Sequence, residues 1–479
     1  MHYNTILNVT GKVIKFEAAL MVLPLIVAMI YHESIKPFAV AIVIALVLGQ
    51  ILTSFFKDDS GTILIRDGFT IVSLAWISIS AIGCLPFIAS GEIPNVFDAF
   101  FETVSGFTTT GASILKDVEA MSKGLLFWRS FTHWIGGMGI LVFVMAISLR
   151  TPGRSANILR AEMPGHNIDK LVPKTKNTAI ALYLIYMGLT FIEIAFLLAG
   201  GMPLYESIVH ALGTAGTGGF GVKADSIGSY SAYLQWVVAI FMFLFGINFN
   251  YYYLLIFKQG KSILQSNELK WYLIFAGLST ILITALIMPE VGNAADAIRH
   301  SFFQVSSIMT TTGYSTVDFN LWPNMAKTTL LMLMFIGGCI GSTAGGLKVS
   351  RIVVLGQALK NHMKNTVNPR NVRSVHLNGK IVDPVATQRI VVYFMLYIVI
   401  VLIAFFIISF EPFDFETNFT AVIACMSNIG PGFGAVGPAA NFAEYTDFSK
   451  FILSIVMLIG RLEIYPMLIL FAPVRAGRK

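Results

Sequence analysis

"FFQVSSIMTTTG" (residues 302–313) is a polar, glycine-terminated stretch in a chain that is otherwise strongly apolar. A closely similar string, "FFETVSGFTTTG", occupies residues 100–111, and seven of the twelve positions are identical. Consecutive threonines before a glycine suit a lipid-facing helix poorly, because hydrocarbon offers exposed polar groups no partners. Both stretches are therefore expected to lie buried in protein or along an aqueous cavity.

The composition is that of an integral membrane protein. Of the 479 residues, 56% are hydrophobic and 12% are charged, whereas soluble domains carry about 25% charged residues. Apolar runs such as residues 38–56 and 390–410 reach the roughly 18 residues that a spanning helix needs. The first apolar run begins near Ile14 and lacks the cleavage site of a signal peptide, so we expect it to be retained.

The basic residues are unevenly distributed along the chain. Of the 33 Lys and Arg residues, 24 lie in a few segments: the N-terminus, 57–66, 150–176, 258–270, and 348–389 with the C-terminal tail. The positive-inside rule therefore places both termini and these connections in the cytoplasm. We expect the membrane itself to be a bacterial-type plasma membrane. The same rule explains the net charge of +7 without a nucleic-acid partner.

Two further segments extend the duplication to a fourfold repeat: "SIVHALGTAGTG" (207–218) and "FTAVIACMSNIG" (419–430). A register on the final glycines aligns Gly111, Gly218, Gly313 and Gly430. Each segment has a long apolar run before and after it and is itself too short to span a bilayer. The pattern indicates helix, half-helix, polar loop and helix, repeated four times.

The predicted fold is an all-α integral membrane protein with about ten transmembrane helices. Four helix–pore loop–helix repeats surround a pseudo-fourfold ion pore, and two extra N-terminal helices precede them. The expected division is 1–66 for the two-helix extension, then 67–150, 151–258, 259–365 and 366–479 for repeats one to four. All four polar loops fall on the acid-rich external side, so each re-entrant segment would line one central path.

Four polar loops around one axis, each with a glycine, predict a cation filter. Glycine permits backbone angles that other residues resist, so such loops can direct rings of carbonyl oxygens at a dehydrated cation. Each half-helix adds the negative end of its dipole. The simpler alternative is four short turns between helices, in which Ser and Thr residues act as caps.

The helix after the third loop contains the glycine-rich stretch "FIGGCIGSTAGGLKVSR" (335–351). Each helical glycine costs about 1 kcal/mol relative to alanine, so five within ten residues favour a broken helix below the filter. In a pore, such backbone would form a flexible plug. Close helix packing through small residues explains the same spacing equally well.

The last apolar run contains Arg461, eleven residues beyond Lys450. At 1.5 Å per residue this is about 16 Å along a helix, roughly halfway across a bilayer. An intramembrane arginine is a functional candidate. The alternative is a structural ion pair with Glu193 or Glu463. Lys348, nearer the cytoplasmic end, is expected to extend to the interface.

One histidine and three cysteines lie in apolar surroundings, where packing is the expected role. His133, in "THWIGGMG", would serve in helix packing, with a proton relay as the alternative. Cys84, Cys339 and Cys425 show neither disulfide pairing nor metal-ligand spacing, so we expect them to be buried small hydrophobes.

Nearly the whole chain resembles the potassium-translocating subunit of the Trk/Ktr/HKT superfamily, and the TrkH type in particular. The resemblance is carried by "GFTTTGAS", "GTAGTGGFG", "MTTTGYST", "SNIGPGFG", "RSFTHWIGGMGI", "GGCIGSTAGGLKVSR" and "GRLEIYP". The two leading helices favour the TrkH type over the shorter Ktr type. The resemblance implies potassium as the transported ion, held by filter carbonyls only, and no covalently bound cofactor.

In this family a glycine in each loop accompanies potassium selectivity, and a serine in the first loop accompanies sodium permeation. By position, the resemblance implies a filter of Thr109, Thr110, Gly111, Gly216, Thr217, Gly218, Thr311, Thr312, Gly313, Asn428, Ile429 and Gly430. It also implies a gate of Gly337, Gly338, Gly341, Ser342, Thr343, Gly345, Gly346 and Arg461. In that gate the arginine would repel cations and slow passive leak, or pair with backbone carbonyls of the closed loop. Asn428 and Ile429 replace hydroxyl residues, so the rings depart from strict fourfold symmetry.

The resemblance further implies a homodimer and a cytosolic TrkA-like ring of RCK-type regulatory subunits, with NAD and ATP bound only by that ring. The basic segments 150–176 and 348–389 are the expected docking surface, unless they are merely solvated loops. The competing function is a sodium- or proton-coupled secondary cation transporter with discontinuous helices, against which four repeats of one orientation argue. An intramembrane enzyme is disfavoured because Glu193, Arg461 and Glu463 form no catalytic set.

Overall fold

The computed structural model describes residues 2–57, 65–139, 175–256, 263, 265–368 and 373–471. In these ranges the chain is almost entirely helical, and the predicted all-α class is confirmed. The extension before the repeats consists of α1 (Tyr3–Leu20), α2 (Val22–Ile30) and α3 (Lys36–Phe55). The first two of these together form one apolar span, so the extension crosses the membrane twice.

The first two repeats follow the predicted order. Repeat one contains α4 (Ile65–Gly83), α5 (Leu85–Ser90), α6 (Val96–Phe107) and α7 (Lys123–Gly137). Repeat two contains α8 (Thr175–Ala199), α9 (Leu204–Gly216), α10 (Ala232–Phe245) and α11 (Phe249–Ile256).

The third and fourth repeats have the same order, with a small hairpin between them. Repeat three contains α12 (Asn267–Val291), α13 (Ala294–Met309), α14 (Asn324–Ile336) and α15 (Val349–Val367). The hairpin pairs β1 (Val375–Leu377) with β2 (Lys380–Val382) in antiparallel register. Repeat four contains α16 (Pro384–Ile408), α17 (Phe415–Ser427), α18 (Asp447–Arg461) and α19 (Tyr465–Phe471). The exact repeat boundaries remain predictions.

The short pore helices α6, α9, α13 and α17 share one electrostatic design. Each carries an acidic residue in its first turn: Asp98, Glu206, Asp296 and Glu416. Three of the four also have an Asn or Asp side chain as the N-terminal cap. Acids and caps stabilise the positive end of a helix dipole, so these sequences fix where each pore helix starts. The negative C-terminal ends converge on the polar loops.

Six helical segments in the described ranges are long and apolar enough to span a membrane: Tyr3–Ile30, Lys36–Phe55, Arg66–Ser90, Ile180–Ala199, Asn267–Val291 and Pro384–Ile408. A seventh candidate is the pair α10 and α11, which is bent by 89°. The first helix of every repeat is therefore continuous. The three cysteines are free and buried, as predicted.

The helix after a pore loop is interrupted in repeats two, three and four. The bend in repeat two falls at residues 246–248, α14 ends at Ile336, and α18 ends at Arg461. In repeat one, α7 ends at Gly137, and residues 140–174 lie outside the described ranges. The sequence predicted such a break only in repeat three, because only there do glycines cluster densely enough to exclude a helix.

Candidate functional site

All four pore helices end in the same hydrogen-bonded turn. The backbone nitrogen of Thr110 donates to Ser105 O (2.9 Å), and the nitrogen of Thr109 donates to Gly106 O (3.1 Å). The same pair of bonds, spanning five and three residues, closes the other helices at residues 217–218, 311–312 and 428–429. This is a Schellman C-cap, which requires a residue in the left-handed conformation.

In most proteins that left-handed residue is glycine, but here it is not. The positions are occupied by Thr109, Thr217, Thr311 and Asn428, with φ between 54° and 57°. A β-branched residue with positive φ is a rare outlier, and each instance costs on the order of 1–3 kcal/mol. Backbone strain at three equivalent threonines is typical of a functional site, because the fold must hold it in place, whereas asparagine adopts the left-handed conformation more readily.

The four loops form a closed ring in which each glycine faces a carbonyl oxygen of the next loop. A Cβ atom added at Gly111 would lie 1.9 Å from Gly218 O in loop two. In the other loops, an added Cβ at Gly219 would lie 2.0 Å from Thr312 O, one at Gly313 would lie 2.1 Å from Ile429 O, and one at Gly430 would lie 2.7 Å from Thr110 O. The contacts run from loop one through loop four and back, so the four loops surround one axis.

The ring corrects the predicted register of loop two by one residue. Gly219, with φ of 79°, is equivalent to Gly111, whereas Gly218 follows the left-handed Thr217 and supplies the carbonyl. Gly216 is the last residue of α9, where an added Cβ would lie 2.3 Å from His133 O. The glycines at 218 and 219 are adjacent in the sequence, and the helix cap together with the contact to Thr312 O decides between them.

A cavity of about 100 Å³ opens where the loops meet, and its lining includes the four equivalent glycines Gly111, Gly219, Gly313 and Gly430. The hydroxyls behind the ring pair with each other in two loops, at Thr108–Thr110 and Thr310–Thr312, each 2.8 Å apart. In loop four the Asn428 amide instead donates to Thr110 Oγ1 and to Met457 O, both at 3.0 Å. The predicted departure from fourfold symmetry therefore involves side chains, while the backbone retains the fourfold pattern.

A buried ion pair that the sequence analysis missed holds loop one. Arg129 Nε of α7 donates to Glu102 Oε1 of α6 at 2.7 Å, and the two side chains are 2% and 0% exposed. Glu102 also accepts from Ser113 Oγ and from the backbone nitrogen of Ile114, both at 3.0 Å. The guanidinium lies 4.0 Å from the ring centre of Phe220 in loop two. Glu102 and Arg129 both lie in apolar runs of the sequence, and this placement is the signal from which the pair could have been predicted.

His133 of α7 packs directly behind loop two. Its ring is stacked on Phe220, with centroids 4.2 Å apart and planes 20° from parallel. A Cβ atom at Gly218 would lie 2.2 Å from His133 Nδ1. The imidazole thus fills the space left by an absent side chain, which agrees with the packing interpretation.

The segment 337–348, hereafter the intramembrane loop, lies against the ring of four loops. Gly345 N donates to Thr311 Oγ1 at 2.6 Å, and a Cβ atom at Gly345 would lie 2.2 Å from Ser427 O. Further along the loop, Cys339 N donates to Gly246 O, and Phe249 N donates to Gly341 O, both at 3.0 Å. The loop therefore satisfies carbonyl and amide groups exposed by the break in repeat two.

Arg461 joins the ends of α18 and α7 to this loop. Its guanidinium donates to Thr343 O (2.9 Å) in the loop and to Gly136 O (2.5 Å) and Gly137 O (3.0 Å) at the end of α7. The structure thus gives Arg461 carbonyl partners, one of the three roles expected for it, while Glu463 pairs with Arg351.

Lys348 does not extend to the interface as expected. Its side chain is 8% exposed, and Nζ folds back to donate to Ala344 O within the loop. Its backbone has φ of 76°, at the junction of the loop with α15. The loop carbonyl is a nearer partner than interfacial water, and the turn at this junction directs the side chain inward.

The chain is similar to transport proteins over its full length. The profile of the TrkH family, described as a cation transport protein, matches residues 34–476. The chain is 34% identical to the Trk system potassium uptake protein TrkG of Escherichia coli (strain K12), over 98% of each protein. It is 35% identical to the Trk system potassium uptake protein TrkH of Salmonella typhimurium, over 99% of each.

The fold is also that of a solved transporter. The crystal structure of the potassium transporter TrkH from Vibrio parahaemolyticus matches with a TM-score of 0.89 at 30% identity, and the match covers 99% of both chains. With the family profile and the full-length relatives, this similarity shows that the chain belongs to the TrkH family of cation transport proteins, which are transmembrane ion transporters and not enzymes.

Proposed function

We propose that this chain takes up potassium across the plasma membrane through the ring of four pore loops. The observation that carries the proposal is the closed cycle of glycine-to-carbonyl contacts among the loops. Rings of backbone carbonyls replace the water shell of a dehydrated cation, and they hold it by dipoles weakly enough that it leaves again. The relatives in Escherichia coli and Salmonella typhimurium bear the name of potassium uptake proteins.

The intramembrane loop is proposed as the gate. It is bonded to the filter at Thr311 and to Arg461 at Thr343, which supports a position across the path just below the ring. The positive charge of Arg461 at this place disfavours a passing cation. Opening requires the loop to leave these partners, and the predicted gate residues, with positive φ at Gly337, Gly341 and Gly346, provide the necessary freedom.

Control of this gate is assigned to a cytosolic ring of nucleotide-binding subunits, with two copies of the chain forming a homodimer. The word "system" in the relatives' names supports further components. Of the proposed docking surface, residues 150–174 and 369–372 lie outside the described ranges, whereas the rest of 348–389 includes α15, the β1–β2 hairpin and the start of α16. Both termini are placed in the cytoplasm by the charge distribution.

Growth of a potassium-uptake-deficient bacterium on low potassium tests the filter. Gly111→Ser introduces a Cβ 1.9 Å from Gly218 O and is expected to raise sodium uptake relative to potassium. A loss of about 1.4 kcal/mol of discrimination corresponds to about tenfold. Gly91→Ser is the matched control, because Gly91 has the same φ of 79° and no atom within 4 Å of an added Cβ. Equal ion ratios in the two variants contradict the filter assignment.

Uptake into liposomes separates passive conduction from coupled transport. Purified protein in liposomes should admit potassium down its own gradient, with no gradient of sodium or protons. Uptake that depends on such a gradient supports the coupled secondary transporter instead. Deleting residues 341–346 should leave the pore leaky, and an unchanged flux contradicts the gate.

A further inference from the structure

The intramembrane loop has a second anchor, distant from the filter. The backbone nitrogen of Ile340 donates to Glu268 Oε1 at 2.7 Å. Glu268 lies in the first turn of α12 and is only 3% exposed. Hydrogen bonds to a carboxylate are stronger than those to neutral acceptors, and a buried one has little competition from water. Glu268 therefore holds one end of the loop, as Thr311 holds the other.

Glu268 itself belongs to a polar cluster built from three elements. The hydroxyl of Tyr251 from α11 lies 3.3 Å from Glu268 Oε2 and 2.5 Å from Ser266 Oγ. Ser266 is the N-terminal cap of α12 and accepts a bond from Leu269 N at 3.2 Å. These bonds fix the direction of the Glu268 side chain toward the loop, because its neighbours are themselves positioned by helix termini.

The tip of the β1–β2 hairpin completes this cluster. Asn378 Oδ1 accepts from Ser266 Oγ at 3.2 Å and from Glu268 N at 3.3 Å. Asn378 and Gly379 both have positive φ, 50° and 73°, as a two-residue hairpin turn of the mirror-image type requires. An exposed hairpin in the basic segment is thus bonded to the residue that anchors the loop.

The hairpin is also attached to α15, the helix that follows the loop. Gln357 of α15 exchanges two hydrogen bonds with the backbone of His376, each 2.9 Å long. A cavity of about 1000 Å³ lies beside the hairpin and is lined in part by Tyr251, Ser266, Ile340 and Asn378. Close-packed interiors resist displacement, so this open space is what allows the hairpin tip to move.

We propose that Asn378 and Glu268 form a mechanical link through which movement of the β1–β2 hairpin loosens or tightens the intramembrane loop. The link rests on the proposed gating role of that loop. A partner that displaces the hairpin tip removes an acceptor from Ser266 and from Glu268 N, and the carboxylate then loses its fixed orientation toward Ile340. Glu268 acts as a positioning residue, since it contacts the loop and not the ion.

Hydrogen exchange of the purified full-length chain tests the link without relying on transport. Glu268→Ala removes the acceptor of Ile340 N, and exchange of the amides in 338–345 should rise about tenfold, as expected for the loss of a charged hydrogen bond. Asn378→Gly keeps the turn but deletes the acceptor, and should raise exchange about threefold. Glu268→Gln retains an acceptor oxygen but not the charge, and should raise exchange by less than Glu268→Ala. Ile381→Ala, an exposed hairpin position, is the control.

Passive rubidium flux through the same proteins in liposomes gives the second readout. The link is supported when exchange and flux rise together in Glu268→Ala and, less, in Asn378→Gly, and when the double variant does not exceed Glu268→Ala. Unchanged exchange of the loop amides in Glu268→Ala overturns the link. A rise in Glu268→Ala with no rise in Asn378→Gly also overturns it. Faster exchange in both variants without more flux retains the link and contradicts the proposed gate. Unchanged exchange in α6 shows that each variant is folded.

Discussion

The backbone nitrogen of Gly345 donates a hydrogen bond of 2.6 Å to the side-chain oxygen of Thr311, which ties the intramembrane loop to the filter ring. Thr311→Val removes this acceptor and keeps a β-branched side chain of similar size. Losing one neutral hydrogen bond is worth about 1 kcal/mol, or about fivefold in a closed–open equilibrium. Passive rubidium flux into liposomes is therefore expected to rise about fivefold, with the potassium-to-sodium ratio unchanged.

Thr109→Val is the matched control for that substitution. Thr109 has the equivalent left-handed backbone in loop one, and its buried hydroxyl has no hydrogen-bond partner within the described part of the chain. Passive rubidium flux through Thr109→Val should equal that of the wild type. An equal rise in both variants shows that the effect arises from the loop conformation and not from the bond to Gly345.

The corrected register of loop two predicts opposite outcomes for two nearby glycines. Gly219→Ala introduces a Cβ 2.0 Å from Thr312 O at a φ of 79°, whereas at Gly221 the nearest atom lies 3.7 Å away. We expect Gly219→Ala to reduce potassium uptake by at least about tenfold, since overpacking alone costs about 1–3 kcal/mol. Gly221→Ala should transport normally. Initial uptake rates at equal protein abundance distinguish them, and normal uptake by Gly219→Ala contradicts the ring.

His133 and Gly218 are expected to compensate for each other. His133→Ala leaves a void behind loop two, and Gly218→Ala introduces a Cβ 2.2 Å from the imidazole. Each change alone should destabilise the protein, by about 2–4 kcal/mol for the void. The double variant places the new methyl group where the ring was, so thermal stability and ion selectivity should partly recover. Strictly additive losses, measured as melting temperatures, argue against a packing role for His133.

Arg461→Lys separates charge from geometry at the gate. Lysine keeps the positive charge but lacks the planar fork that reaches Thr343 O, Gly136 O and Gly137 O together. If the carbonyl bonds hold the loop, the lysine variant should leak nearly as much as an alanine variant, about tenfold above the wild type, since the bond from this charged donor to Thr343 O is worth about 1.5 kcal/mol. Wild-type flux in the lysine variant shows instead that electrostatic repulsion alone limits the leak.

The buried pair of Glu102 and Arg129 should matter far more than an exposed one. Glu102→Ala leaves the Arg129 charge buried without its carboxylate, a change that destabilises by about 3–5 kcal/mol. Melting temperature and uptake should both fall. Glu444→Ala is the control, because Glu444 and its ion-pair partner Lys116 are each about two-thirds exposed. Equal melting temperatures for the two variants would falsify a structural role of the buried pair.

Much of the fold could be predicted from the sequence, since the deciding signals are local. Apolar runs flanking short polar segments specify helices and re-entrant loops, because unsatisfied backbone is excluded from lipid. The threonine–glycine strings marked loops one and three directly. The glycines around Gly341 also marked the break after α14, since a local excess of glycine disfavours a helix wherever it occurs.

The pairings within the site depend on contacts between distant parts of the chain. Arg461 had three expected roles, and only the packed helices bring the carbonyls of Thr343 and Gly136 within its reach. Lys348 turns inward for the same reason. Glu268 lies 72 positions from Ile340, and no local pattern marks such a partner.

By itself the sequence determined a membrane-spanning, fourfold-repeated helical chain whose polar segments carry glycine and threonine. The tertiary structure alone decided that Gly219 and not Gly218 completes the ring. Adjacent glycines are equivalent in local conformational preference, and the choice between them is made by the carbonyl of Thr312, which approaches from another repeat and leaves room for no side chain.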